Sequence, residues 1–245
     1  MANKDTLVEL AKLAEHAERY EDMADFMKQV TSGLDENDEL SSDERNLLSV
    51  AYKNVIGSKR TAWRVVSAFE QKHEENEVKK AIGSDYRKKI ENELETTCKE
   101  VLTLLKEKLV PSAVSVEAKV FYLKMQGDYY RYMAEAARID NKQAAIDGAD
   151  DAYKKAKEKA EDGDALSPCH PIRLGLALNF SVFCFEIQNN PDEACKLART
   201  AFDNSIKEME KQDKTDNKES TLIMQLLRDN LTLWTQDDDD QETES

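Results

Sequence analysis

The chain has 245 residues, enough for one large domain or two small ones, with room for a sizeable core. Glycine and proline together number only 11, so turns are scarce and elements long, which argues against a sheet-rich fold. Charged residues reach 35% and the formal net charge is −15, a balance that disfavours general binding to nucleic acid or to anionic membranes.

Apolar residues recur at helical spacing almost throughout. Leu7, Leu10, Ala11 and Ala14 mark a first short helix, and Met23, Phe26, Met27 and Val30 a second. Thr31–Leu40 reads as a loop, and Ser41-Ser42-Asp43-Glu44 supplies a capped, acidic start for a long helix reaching about Asn76. The next runs from about Gly83 to Val110 and is stopped by Pro111. Ser115–Ala137 and Asp140–Asp162 follow. After the loop Gly163–Pro171, Pro171 opens a helix to about Asn189 and Pro191 opens another to about Lys211. The last spans Thr221 to about Thr235. The reading is all-α, nine helices in a single domain over 1–235, followed by an acidic tail at 236–245. Within that tail Asp237–Ser245 carries six acids and no base, a block that repels itself and is expected to stay disordered.

Four cysteines, Cys98, Cys169, Cys184 and Cys195, form no Cys-x-x-Cys pair and no metal-like grouping with the three histidines. They read as reduced thiols in a cytoplasmic protein, and neither metal nor cofactor is expected. The N-terminus meets charge at once and lacks an apolar signal core, and the longest charge-free run, Leu174–Phe185, is too short to span a bilayer.

One stretch departs from the acidic background. Between Asn46 and Phe69 there is no carboxylate, while Lys53, Lys59, Arg60 and Arg64 are present. Arg60 lies seven positions from Lys53 and Arg64 eleven, so the three share one helical face. Such a face is either solvated and paired with acids of a neighbouring helix, or it is a site for a multiply charged anion. A second cationic element runs from Lys124 to Glu135, where Asp128 and Glu135 are spaced to hold Arg131 and Tyr132 adds a hydroxyl. Two further helices carry apolar stripes with polar inserts. Leu174, Leu178, Val182 and Glu186 recur every four residues beside Asn179, and Leu222, Leu226 and Asn230 do the same, flanked by Ile223, Leu227 and Trp234. Stripes of this kind are usually core. The asparagine amides, matched to a peptide backbone, favour an amphipathic groove for an extended phosphorylated peptide.

At these residues the chain resembles the 14-3-3 family of phosphoserine/phosphothreonine-binding adaptors. The matching blocks are RNLLSVAYKNVIG at 45–57, GDYYRY at 127–132, HPIRLGLALNFSVF at 170–183 and STLIMQLLRDNLTLW at 220–234. The resemblance implies nine antiparallel helices per protomer and a cup-shaped, W-like dimer with a groove in each protomer. By motif, Lys53, Arg60, Arg131 and Tyr132 hold the phosphate, and Asn179 and Asn230 bond the peptide main chain. Leu178, Val182, Leu222, Ile223 and Leu226 line the apolar wall, Glu186 and Trp234 assist, and Lys124 lies on the floor. The N-terminal helices, about 3–35, form the dimer interface, where Arg19 and Asp22 face Tyr86, Lys89 and Glu93 of the second protomer. The partners so implied are phosphorylated client proteins, and a second copy of this chain or a sister isoform.

The chain also departs from the family's pattern. Ala62 stands where many relatives carry a phosphorylatable serine that weakens dimers, so that switch is expected to be missing, with Thr61 next door. Lys59 replaces a common arginine, and Thr6 an acid that supports the dimer interface. An enzyme is not supported by any His-Glu-x-x-His, Gly-x-Ser-x-Gly or Gly-rich phosphate loop. A helical scaffold for unmodified or acidic peptides is the competing reading, but it lacks a 34-residue repeat and gives the clustered arginines nothing to bind.

Overall fold

A computed structural model describes residues 3–35, 38–136, 139–212 and 218–242, and among them every regular element is helical. Nine helices run in order: α1 (Lys4–His16), α2 (Tyr20–Ser32), α3 (Ser42–Lys72), α4 (Glu77–Leu104), α5 (Val116–Ala136), α6 (Ile139–Glu161), α7 (Pro171–Glu186), α8 (Pro191–Gln212) and α9 (Lys218–Glu242). The chain divides into two compact units, Met1–Val114 with Tyr132–Ala145, and Ser115–Arg131 with Ile146–Ser245. Helix α5 therefore contributes its first turns to the second unit and its last to the first.

Local chemistry sets the helix ends. Ser41 forms a capping box with Glu44: the Glu44 amide donates to the Ser41 hydroxyl at 3.2 Å and the Ser41 amide to the Glu44 carboxylate at 2.9 Å. The expected run to Asn76 stops at Lys72 because Asn76 is itself a cap. Its side chain accepts from the Lys79 amide at 3.0 Å and starts α4 six residues before Gly83. Pro111 does not end its helix at Val110. A π-helical turn over Leu105–Leu109 widens the coil ahead of the proline and carries it through Val110–Ser112. Helix α7 ends at Glu186, short of Asn189, which sits at φ 52°, the left-handed conformation asparagine tolerates. Helix α9 continues to Glu242, beyond the expected end at Thr235. Of the tail, 243–245 lie outside the described residues, as do the side chains of 236–242.

In the first unit α1 packs on α2, α2 on α3 and α3 on α4. Met23, Met27, Leu48, Tyr52, Ile56, Leu94 and Leu105 are fully enclosed between them. The N-terminal stripe of Leu7, Ala11 and Ala14 is covered by its own chain, and the exposed large apolar residue of α1 is Leu13. In the second unit Val120, Tyr153, Leu174, Phe180, Phe183 and Leu227 share one core. Tyr153 stacks on Phe180 at 5.3 Å between ring centroids, and Phe185 on Trp234 at 4.7 Å.

Two glycines set how closely helices approach in this second core. A Cβ on Gly127 would fall 2.5 Å from the Tyr153 ring, and one on Gly148 2.9 Å from the Tyr130 ring. Helices α5 and α6 are thus keyed together by an aromatic ring lying on a bare backbone at each of these points.

Candidate functional site

The cationic face of α3 lies in the first unit. Arg60 donates to Glu135 through Nε at 2.7 Å, and Arg64 reaches the other oxygen of the same carboxylate at 2.8 and 2.5 Å. The Arg60 guanidinium also lies over the Tyr132 ring, 4.2 Å from its centroid. Spacing along α5 assigned Glu135 to Arg131; the structure puts Glu135 on the two arginines of α3. Lys59 sits 3.8 Å from both Glu21 and Glu93. Lys53 is exposed and makes no ion pair among the described residues. Two cations, Arg60 and Arg64, thus share one carboxylate, that of Glu135. The arginines of this face are thereby paired with an acid of α5, as the solvated reading expects, while Lys53 stays outside that pairing.

In the second unit the cluster is built around Asp128, which is almost wholly buried. Its Oδ1 accepts from the Tyr153 hydroxyl at 2.6 Å, from Asn179 Nδ2 at 2.8 Å and from Arg131 at 3.5 Å. Its Oδ2 accepts from Lys124 Nζ at 3.0 Å. Arg131, 7% exposed, also donates through Nε to the Tyr153 oxygen at 3.2 Å. Burial disfavours the Asp128 carboxylate. The charges of Lys124 and Arg131 and the bond from Tyr153 outweigh that effect, so its pKa lies below the ordinary aspartate value. Burial first, then the neighbouring Asp128 charge, push the Tyr153 phenol well above its ordinary value, so it stays protonated as a donor.

Three of the residues singled out in the sequence, Lys124, Arg131 and Asn179, therefore converge on one anion. Asn179 is committed to Asp128 through its amide nitrogen, and its Oδ1 accepts no hydrogen bond among the described residues. Sequence reading placed Asp128 only beside Arg131 and missed Tyr153 entirely. Its helix stood out only for alanine and lysine, and nothing along that helix marks one tyrosine as a partner for α5.

The apolar wall belongs to the same unit. Leu178, Val182 and Ile223 are half-buried against its core, whereas Leu222 and Leu226 keep 62% and 43% of their surface. Glu186 is exposed and Asn230 half-buried. Trp234 is a core residue at 4% exposure, held by its stack on Phe185, so it supports the wall from behind. Of the residues expected at a dimer interface, Arg19 pairs with Asp22 at 2.5 Å within the chain, and Tyr86, Lys89 and Glu93 are exposed on α4.

Comparison with known proteins gives one consistent result. The profile of the family described as "14-3-3 protein" matches residues 10–235. Human 14-3-3 protein beta/alpha is 57% identical over 233 residues, covering 95% of this chain and 93% of its own. The chicken protein of the same name matches at 57% and the mouse protein at 56%, with the same coverage. With the cation-bearing α3 and the Asp128 cluster both falling inside the matched span, the chain belongs to the 14-3-3 family.

Proposed function

We propose that this chain is a non-catalytic, dimeric adaptor that clamps phosphoserine- or phosphothreonine-bearing segments of client proteins and thereby regulates their activity, location or contacts. The observation that carries the reading is the α3 face: in a chain of net charge −15, Lys53 stands exposed two turns along the same helix from Arg60, whose guanidinium is already fixed by Glu135 and Tyr132. A phosphate carries about −1.5 to −2 charges and three acceptor oxygens, and matches such a group better than a carboxylate does. Arg60 and Arg131 supply planar forks, Lys53 a point charge and Tyr132 a hydroxyl. Asn179 and Asn230 take the peptide main chain. Leu178, Val182, Leu222, Ile223 and Leu226 take the side chains flanking the phosphorylated residue. Lys124 holds the floor through Asp128, with Glu186 at the edge and Trp234 behind the wall.

The dimer joins the first units of two copies through Arg19, Asp22, Tyr86, Lys89 and Glu93. Two linked grooves raise the local concentration for a doubly phosphorylated client. The site of action is cytoplasmic, as for an adaptor of phosphorylated clients; no helix among the described residues is long and apolar enough to cross a membrane.

Calorimetric titration of a phosphopeptide into the parent chain and into Lys53→Glu and Arg60→Ala tests the site. Each charge-assisted bond is worth roughly 1.5–3 kcal/mol, so each variant is expected to bind about 10- to 150-fold more weakly with helicity unchanged. Undiminished binding by both variants would remove α3 from the site.

A further inference from the structure

A cavity lies in the second unit, on the side of α7 turned away from Leu178, Asn179 and Val182. At about 100° per residue, Leu176, Ala177 and Phe180 point roughly 160° from Leu178, Asn179 and Val182. Between this side of α7 and helices α6 and α8 there is a cavity of about 190 Å3, floored by Leu176, Ala177, Phe180, Leu197 and Ala201. That is below the roughly 300–1,000 Å3 of sites for drug-sized molecules, so its occupant is small.

The rim has an unequal charge count. Lys196 is matched by Glu193 at 3.2 Å, whereas Glu161 serves both Lys157, at 2.7 Å, and Arg173, at 3.7 Å. The Arg173 contact is too long for a hydrogen bond. The guanidinium is nevertheless fixed, because it donates to the Leu166 carbonyl at 2.6 Å and its side chain is only 18% exposed. It has no other hydrogen-bond acceptor among the described residues. A pre-oriented fork with unused donors at the mouth of an apolar cavity fits a planar carboxylate attached to a short apolar body.

We propose that this cavity binds a small amphiphilic carboxylic acid, with its carboxylate on Arg173 and Lys157 and its apolar part over Phe180, independently of the phosphopeptide groove. Octanoate, below its micellar concentration, is the probe, and amide signals of the full-length chain are the readout. Octanoate is expected to shift the signals of Ala177 and Leu197 and leave those of Leu222 and Leu226 in place, with saturating phosphopeptide changing its affinity less than two-fold. Arg173→Gln is expected to weaken it about ten-fold or more, with phosphopeptide affinity intact. Ala177→Leu, which fills the floor and leaves the rim unchanged, is expected to abolish binding and serves if Arg173→Gln fails to fold. Octanol binding as tightly as octanoate, displacement of octanoate by the phosphopeptide, or undiminished binding by the folded variants would overturn the proposal.

Discussion

Asp128→Asn is the perturbation whose consequences the structure defines most fully. The substitution keeps the shape of the side chain, removes its charge and exchanges one acceptor oxygen for an amide donor. The buried Arg131 then loses its carboxylate, and two of the donors now held by the two oxygens, from Tyr153, Asn179, Arg131 and Lys124, face an NH2 group or compete for one oxygen. Breaking a buried ion pair by removing one partner costs about 3–5 kcal/mol. At about 2–4 °C per kcal/mol for a chain of this size, the expected fall in Tm is roughly 6–20 °C, read by thermal unfolding at pH 7. The pH dependence provides a second readout. The folded-state pKa of Asp128 is depressed, so its contribution is fully present above the ordinary value of 3.8 and is lost as the pH falls through the lower one. The difference between parent and variant should therefore be constant from pH 7 to about pH 5 and shrink on further acidification. A Tm within about 2 °C of the parent would refute the view that Asp128 holds the cluster together.

Gly127→Ala places a methyl carbon 2.5 Å from the Tyr153 ring, well inside van der Waals contact; separation of α5 from α6 is expected to cost about 1–3 kcal/mol, measurable by urea unfolding, and an unchanged midpoint would contradict the close approach. Burial pushes the thiols of Cys98 and Cys184 up to about 12, so neither should react with iodoacetamide in the native protein at pH 8, and mass mapping of labelled peptides checks this. On α4, Val78 and Ile82 are 70% and 62% exposed and sit four residues apart in line with Tyr86. Ile82→Asp is expected to shift the sedimenting species from about twice 27.9 kDa towards the monomer, and a dimer undisturbed at low micromolar concentration would exclude this stripe from the interface.

Much of this architecture was legible in the residues because helices announce themselves by period and caps. Ser41 with Glu44, and the prolines at 171 and 191, fixed three helix starts in advance. Asn76 carries no such mark, because a cap in a polar run looks like any other loop residue. The π turn before Pro111 was invisible because its bonding pattern leaves no mark on the apolar spacing. The site divides in the same way. Residues that share a helix, such as Lys53 with Arg60 or Leu178 with Val182, are grouped by arithmetic along the chain. Partners drawn from different helices are not, which is why Glu135 was assigned to Arg131 and Tyr153 went unmarked. The proposal for the binding residues rests on the match of whole blocks such as 127–132, and their geometry on the helices that carry them.

The central claim is that the chain reads a phosphate. Titrating one peptide in two forms, with and without phosphate on a single serine, into the full-length dimer tests this most directly. Two or three charge-assisted bonds at roughly 1.5–3 kcal/mol each predict a preference of at least about a hundred-fold for the phosphorylated form, narrowing as salt rises. Equal affinity for the two forms would contradict the account.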